Sequence, residues 1–154
     1  MLGPLIGTAT AGGGSDPEAG DVDTVRQSEL DEAVQLCAQA ASEGYVGAIV
    51  GDLNCGPEAS AGNYEHLKTV GFADVLEKFE VGCTWDQASP LNNLPIFKGC
   101  PSQRIDHLFL KSDAPIVATS ASKCFTDSCV TVAKGEKVTL SDHYGFQAVL
   151  RRQT

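Results

Sequence analysis

The chain has 154 residues, 11 basic and 20 acidic, and a formal net charge of −9. That length suits one domain, and 42% hydrophobic with 20% charged residues argues against a disordered chain. The acidic excess disfavours a partner held mainly by phosphate neutralisation, which needs clustered Lys and Arg, but a phosphate substrate stays open if a divalent cation supplies positive charge.

Residues 5–10 are apolar and β-branched enough for a strand, and they run into Gly12-Gly13-Gly14-Ser15-Asp16-Pro17, a cluster of turn formers read as a loop. A helix is expected next. Thr24 and Gln27 fit a capping box, with Asp21 and Asp23 placed where the positive end of the helix dipole favours carboxylates. Leu30, Ala33, Val34, Cys37 and Ala41 then form one apolar stripe, and Gly44 is the stop signal. Residues 46–50 (Val-Gly-Ala-Ile-Val) read as a strand buried on both faces, ending in Gly51-Asp52-Leu53-Asn54.

A shorter helix is predicted over residues 61–70, closed by Gly71, and Thr84-Trp85 as a brief strand. Residues 86–103 hold three prolines and two asparagines and are expected to be loop. Strands follow at 104–110, 116–120 and 145–150, with Leu140-Ser141-Asp142-His143 as the loop into the last. The order predicts an α/β fold, a mixed β-sheet with flanking helices packed on one face, in a single domain over residues 1–154.

No apolar run reaches the ~20 residues of a membrane span. The first seven residues lack the basic and apolar regions of a signal peptide, so none is expected. Six cysteines show no Cys-x2-Cys zinc spacing. Cys37 reads as a small buried hydrophobe on its helix. Cys124 with Cys129, and Cys83 with Cys100, are candidate disulfides, and a secreted, oxidising location would follow if they form.

Three polar clusters lie at predicted strand ends: Asp52 with Asn54, Asp106 with His107, and Asp142 with His143. Strand ends are where α/β sheets gather ligand sites, because they bring side chains from distant segments to one crevice. Each cluster also has a plainer reading. Asp52 and Asn54 suit a turn after a strand, and Asp142-His143 suits a loop cap. Asp106 inside an apolar strand needs a partner, and Arg104 on the same strand face is a structural one. His66 reads as a solvated helix residue, and Trp85 as core.

Gly51-Asp52-Leu53-Asn54, Arg104-Ile105-Asp106-His107 and Ser141-Asp142-His143 together resemble the second half of the endonuclease/exonuclease/phosphatase superfamily, which includes DNase I-like nucleases, inositol polyphosphate phosphatases and neutral sphingomyelinases. Thr84-Trp85 resembles the Thr-Trp between its first two motifs. Arg26-Gln27 with Glu29-Leu30 resembles the helix before Gly-Asp-x-Asn. The nearest flavour is the sphingomyelinase-like branch. The resemblance implies the C-terminal half of a DNase I-like four-layer α/β sandwich and Mg2+-dependent phosphodiester hydrolysis. Asp52 would accept the proton of the attacking water, or position it. Asn54, on the same side of an extended segment, would donate to a phosphate oxygen. Asp142 would hold Mg2+ or another divalent cation. His143 would stabilise the transition state as imidazolium, oriented by Asp106. His107 stands where the family often has Tyr, and is not expected to be catalytic.

The chain departs from this pattern in its first half. No acidic residue precedes Asp16 to match the family's metal-binding Glu, and Ala9 stands near the family's second His. These departures predict a partial domain, an exposed sheet face open to a missing half or to self-association, and weak or absent turnover by the polypeptide alone. A small phosphodiester or phospholipid head group is the expected substrate. A nuclease is disfavoured by the charge, and a non-catalytic module binding a phosphorylated ligand or a partner chain is the alternative of a different class.

Overall fold

A computed structural model describes residues 17–153. The strand expected at 5–10, most of the glycine-rich loop and Ala9 lie outside them. The described chain runs α1 (Pro17–Ser42), β1 (Ala48–Asp52), α2 (Ala61–Thr69), β2 (Phe72–Asp74), α3 (Val75–Lys78), β3 (Asp106–Lys111), β4 (Ile116–Cys124), β5 (Val130–Thr131), β6 (Lys137–Val138) and β7 (Gly145–Arg152). It is mixed α/β, but its strands form three small sheets, β1-β3-β2, β4-β7 and β5-β6. Every named strand pair is antiparallel, so the expected mixed sheet is corrected. Among the described residues no helix is long and apolar enough to cross a membrane.

Helix α1 begins by Pro17, seven residues before the expected cap. Thr24 is therefore mid-helix, and Asp23 serves not the dipole but Arg26, Ser60 and Asn63, through contacts of 2.7, 2.7 and 3.0 Å. The C-terminus stops where Gly44 predicts it. Gly44 has φ +87, its N–H bonds to the Ala41 carbonyl at 3.1 Å, and the Tyr45 N–H reaches back to Ala40 at 2.9 Å. That left-handed exit, reached without strain only by glycine, satisfies the last carbonyls of the helix. Ala41 itself is exposed, while Leu30, Ala33, Val34 and Cys37 of the stripe pack on the core.

Strand β3 divides the core. On one face Phe109 joins Leu30, Ile49, Cys55, Tyr64, Leu67 and Phe72, under α1 and α2. On the other Leu108 and Leu110 join Val75 and Ala118, with Phe146 and Ala148 of β7 against them. Because successive strand residues face opposite ways, covering both faces produces the apolar run that marks this strand in the sequence. Strand β1 is different. Ile49 is buried but Val50 is 63% exposed, because β1 lies at an edge of its sheet and the second layer stops short of it. The expectation of burial on both faces fails there.

Other expectations divide similarly. Helix α2, β4 and β7 fall where the patterning places them, with β4 and β7 running longer. Thr84-Trp85 is not a full strand: Trp85 makes single bridges to Gln103 on one side and His143 on the other. Trp85 is core, with its ring edge-on to Phe97 at 5.3 Å. His66 is half-buried and not merely solvated, since its Nε2 meets Asp31 Oδ1 at 2.7 Å and joins α2 to α1. All six cysteines are free thiols, so neither candidate disulfide forms and the secreted reading loses its support.

Candidate active site

The antiparallel register places Asp52, the last residue of β1, opposite Asp106, the first of β3. Their side chains share a face of the sheet, since residues paired across strands point the same way. His143 completes the group, with Nδ1 2.8 Å from Asp106 Oδ2. Three side chains separated by up to 91 positions (143 − 52) thus converge. With Nδ1 committed to Asp106, Nε2 is the ring nitrogen available to a substrate.

Local structure explains the placement. The Asn54 N–H donates to Asp52 Oδ1 at 2.9 Å, and Asn54 has φ +49. This is a side-chain-closed turn with the left-handed residue that Asn tolerates, so the extended segment expected at 52–54 is corrected. Asn54 enters the site region by a turn, not by strand alternation. In the 141–143 loop, the Ser141 hydroxyl accepts the His143 N–H at 3.2 Å and donates to Asp142 Oδ1 at 3.3 Å. Asp142 is exposed beside the histidine.

Two buried residues that patterning does not single out fix this geometry. Thr84 Oγ1 accepts the N–H groups of Ile105 and Asp106 at 3.2 and 3.1 Å, while its carbonyl accepts the Tyr144 N–H at 2.7 Å. It ties the start of β3 to the residue after His143. Asn92, fully buried in the proline-containing loop, donates to the carbonyls of Asp86 and Asp142 at 2.9 and 2.8 Å. The Thr-Trp motif is a signal for the first; the second has none in the sequence.

Electrostatics follow from the crowding. The His143 imidazole is raised above its ordinary value, first by the hydrogen bond to Asp106, with burial opposing and Asp52 and Asp142 adding. The Asp52 carboxyl is also raised, first by desolvation in the crevice and then by the neighbouring Asp106 charge, against the Asn54 N–H, His143 and Arg26. A carboxyl and an imidazole that are both raised and stand side by side are a pair suited to proton transfer.

Arg104 does not serve Asp106. Its Nη2 lies 3.1 Å from Asp74 Oδ2 and donates to Tyr64 Oη at 3.0 Å. His107, fully buried, puts Nδ1 3.0 Å from the same carboxylate oxygen and Nε2 2.8 Å from the Cys55 carbonyl. Both ring nitrogens thus have an oxygen partner inside the core. This network lies behind the site, on the opposite face of β3.

Among the described residues no group of three or more His, Cys, Asp or Glu is arranged to hold a metal. Asp106, Asp52 and Asp142 each have one oxygen engaged, by His143, by the Asn54 N–H and by the Ser141 hydroxyl. Such a donor set does not make a resident Mg2+ site by itself. No family model, curated protein or solved structure matches the chain.

Proposed function

We propose that the chain carries a phosphodiester-hydrolysing site of the endonuclease/exonuclease/phosphatase type, acting slowly on a small phosphodiester or phospholipid head group. The DNase I-like sandwich and its sphingomyelinase-like flavour belong to the same proposal. One observation carries it: the His143–Asp106 pair at 2.8 Å stands across from Asp52, with the Asn54 turn and Asp142 adjoining. In the proposed reaction, water adds to phosphorus as its proton passes to Asp52. The His143 imidazolium, held by Asp106, neutralises charge growing on the phosphoryl oxygens. Asn54 donates to one of them. The P–O bond to the leaving group then breaks, the departing oxygen takes a proton from solvent, and Asp52 returns its own to solvent. A divalent cation at Asp142 would supply further charge neutralisation, but no step here depends on it.

The test is hydrolysis of bis-p-nitrophenyl phosphate with Mg2+ and with EDTA, by the whole chain and by His143→Ala and Asp52→Asn. Slow turnover that drops about 100-fold in either variant is expected, the scale of losing a general acid or base. Turnover indifferent to both variants would overturn the reading, as would the absence of both turnover and phosphate binding. The sparse metal donor set favours a second reading, a non-catalytic module for phosphorylated ligands. Binding of a phosphodiester without turnover is its signature.

A further inference from the structure

Beside the His143–Asp106 pair lies an open hollow of about 310 Å³ lined by Asp106, Phe125, Leu140, Ser141, His143, Tyr144 and Gly145. Its chemistry is divided. The imidazole and carboxylate stand at one part of it, while Phe125 and Leu140, 67% and 65% exposed, supply an apolar wall. Phe125 is held there against its own backbone preference. Its φ is +57, a left-handed conformation rarely adopted by a bulky residue. Gly145 makes this possible, because a Cβ at that position would stand 2.6 Å from the Phe125 ring. Residues in sparsely populated backbone regions persist where the surrounding structure over-determines them, and they cluster at ligand clamps.

We infer that this hollow is a subsite for the apolar substituent of a phosphate ester, an aryl group or the first carbons of an acyl or alkyl chain. The inference rests on the proposed phosphate site and adds to it the class of ester preferred. Position supplies the complement: the His143 ring, its Nδ1 already satisfied by Asp106 at 2.8 Å, leaves Nε2 for the phosphate. The wall then discriminates among esters by what the phosphate carries. Size permits it, since a closed apolar cavity of about 150 Å³ already holds benzene. Asp52 does not line the hollow, so a substituent seated there leaves the proposed base unobstructed.

The test measures binding, so it does not wait on turnover. Amide chemical shifts of the whole chain are followed against inorganic phosphate, methyl phosphate and phenyl phosphate, for the native chain, Phe125→Ala and Leu140→Ser. Phenyl phosphate is expected to bind about tenfold tighter than methyl phosphate, the scale of burying one face of a ring. Phe125→Ala should remove most of that preference and leave inorganic phosphate within about twofold, since the ring touches only the substituent. Equal binding of the two esters, with inorganic phosphate still bound, would overturn the subsite and leave the phosphate site standing. A preference that survives both variants would do the same. Failure of all three ligands to bind would overturn both. Shifts at Phe125 and Leu140 that depend on protein concentration alone would overturn the inference in favour of a second copy of the chain as the occupant.

Discussion

Replacing Asp74 tests the part of the molecule on which the site is built. The carboxylate is 5% exposed and carries four contacts. Oδ2 meets Tyr64 Oη at 3.0 Å, Arg104 Nη2 at 3.1 Å and His107 Nδ1 at 3.0 Å. Oδ1 accepts the Leu76 N–H at 2.9 Å and caps α3. Burial pushes this carboxyl up, but the hydrogen bond and charge of His107, the charge of Arg104 and the Leu76 N–H outweigh it and hold it below its ordinary value. Asp74→Ala strands a buried guanidinium whose Nε has no partner among the described residues, together with the His107 ring. Removing one member of a buried ion pair costs about 3–5 kcal/mol, and loss of a helix cap about 1 kcal/mol more. Total stabilities run to about 5–15 kcal/mol, so the variant should be barely folded. Asp74→Asn keeps the shape and the cap acceptor, and should lose about 3 kcal/mol. Urea unfolding followed by far-UV circular dichroism measures both. The sign with pH is fixed by the lowered carboxyl. Its contribution is present above the unfolded-state value and vanishes as pH falls through the folded-state value, so the gap between native and Asp74→Asn chains should close in acid. A loss under 1 kcal/mol at neutral pH, or a gap that widens in acid, refutes the reasoning.

Three further outcomes are expected. Hydrolysis, where measured, should follow a bell in pH, because it needs Asp52 ionised and His143 protonated; both limbs should lie above the ordinary carboxylate and histidine values, and Asp106→Asn should move the alkaline limb down. Thr84→Val removes the acceptor shared by Ile105 and Asp106 and should cost about 1–3 kcal/mol in urea unfolding; an unchanged midpoint would show the clamp to be idle. Asn92→Leu should release the Asp142 carbonyl and broaden the amide signals of residues 141–144, while an unaltered spectrum there would deny it a positioning role.

How much of this could be read from the residues depends on the range of the interaction. Gly44 is legible because a helix stop is local chemistry, and β3 is legible because burial on both faces leaves an unbroken apolar run. Thr24 misleads for the same reason. A capping box describes four residues, and nothing within them reports that the helix has already been started by Pro17. Strand β2 and α3 are too short to show any period, and Asp74 ends one while capping the other. Val50 looks like core because apolar composition cannot say whether a second layer extends over its strand. Within the site, Asp52, Asp106 and His143 stand out as charged residues at strand ends. Thr84 is signalled only by its Thr-Trp motif, and Asn92 and the Asp74–Arg104–His107 network are not signalled, since their partners lie as far as 52 positions away and carry no periodic trace.

The two polar systems meet on β3, and the strand's period of two explains how. Asp106 faces His143 and the open hollow, while its neighbour His107 points the other way, to Asp74 and the Cys55 carbonyl. Cys55 directly follows the Asp52–Asn54 turn, so a ring buried in the core holds the loop that carries the proposed base. Meanwhile Thr84 grips the backbone of Asp106 from the side that carries His143. The distance between His143 and Asp52 is thus governed by these contacts together with the direct ones, from Asp106 and Trp85 to His143 and from the Asn54 N–H to Asp52. An exposed triad on loops would pay side-chain entropy to hold such a geometry; here the closed core has already restrained the loop and strand that position it. Rearranging the site therefore requires moving a buried, hydrogen-bonded imidazole, which is why its shape is tied to the stability of the fold.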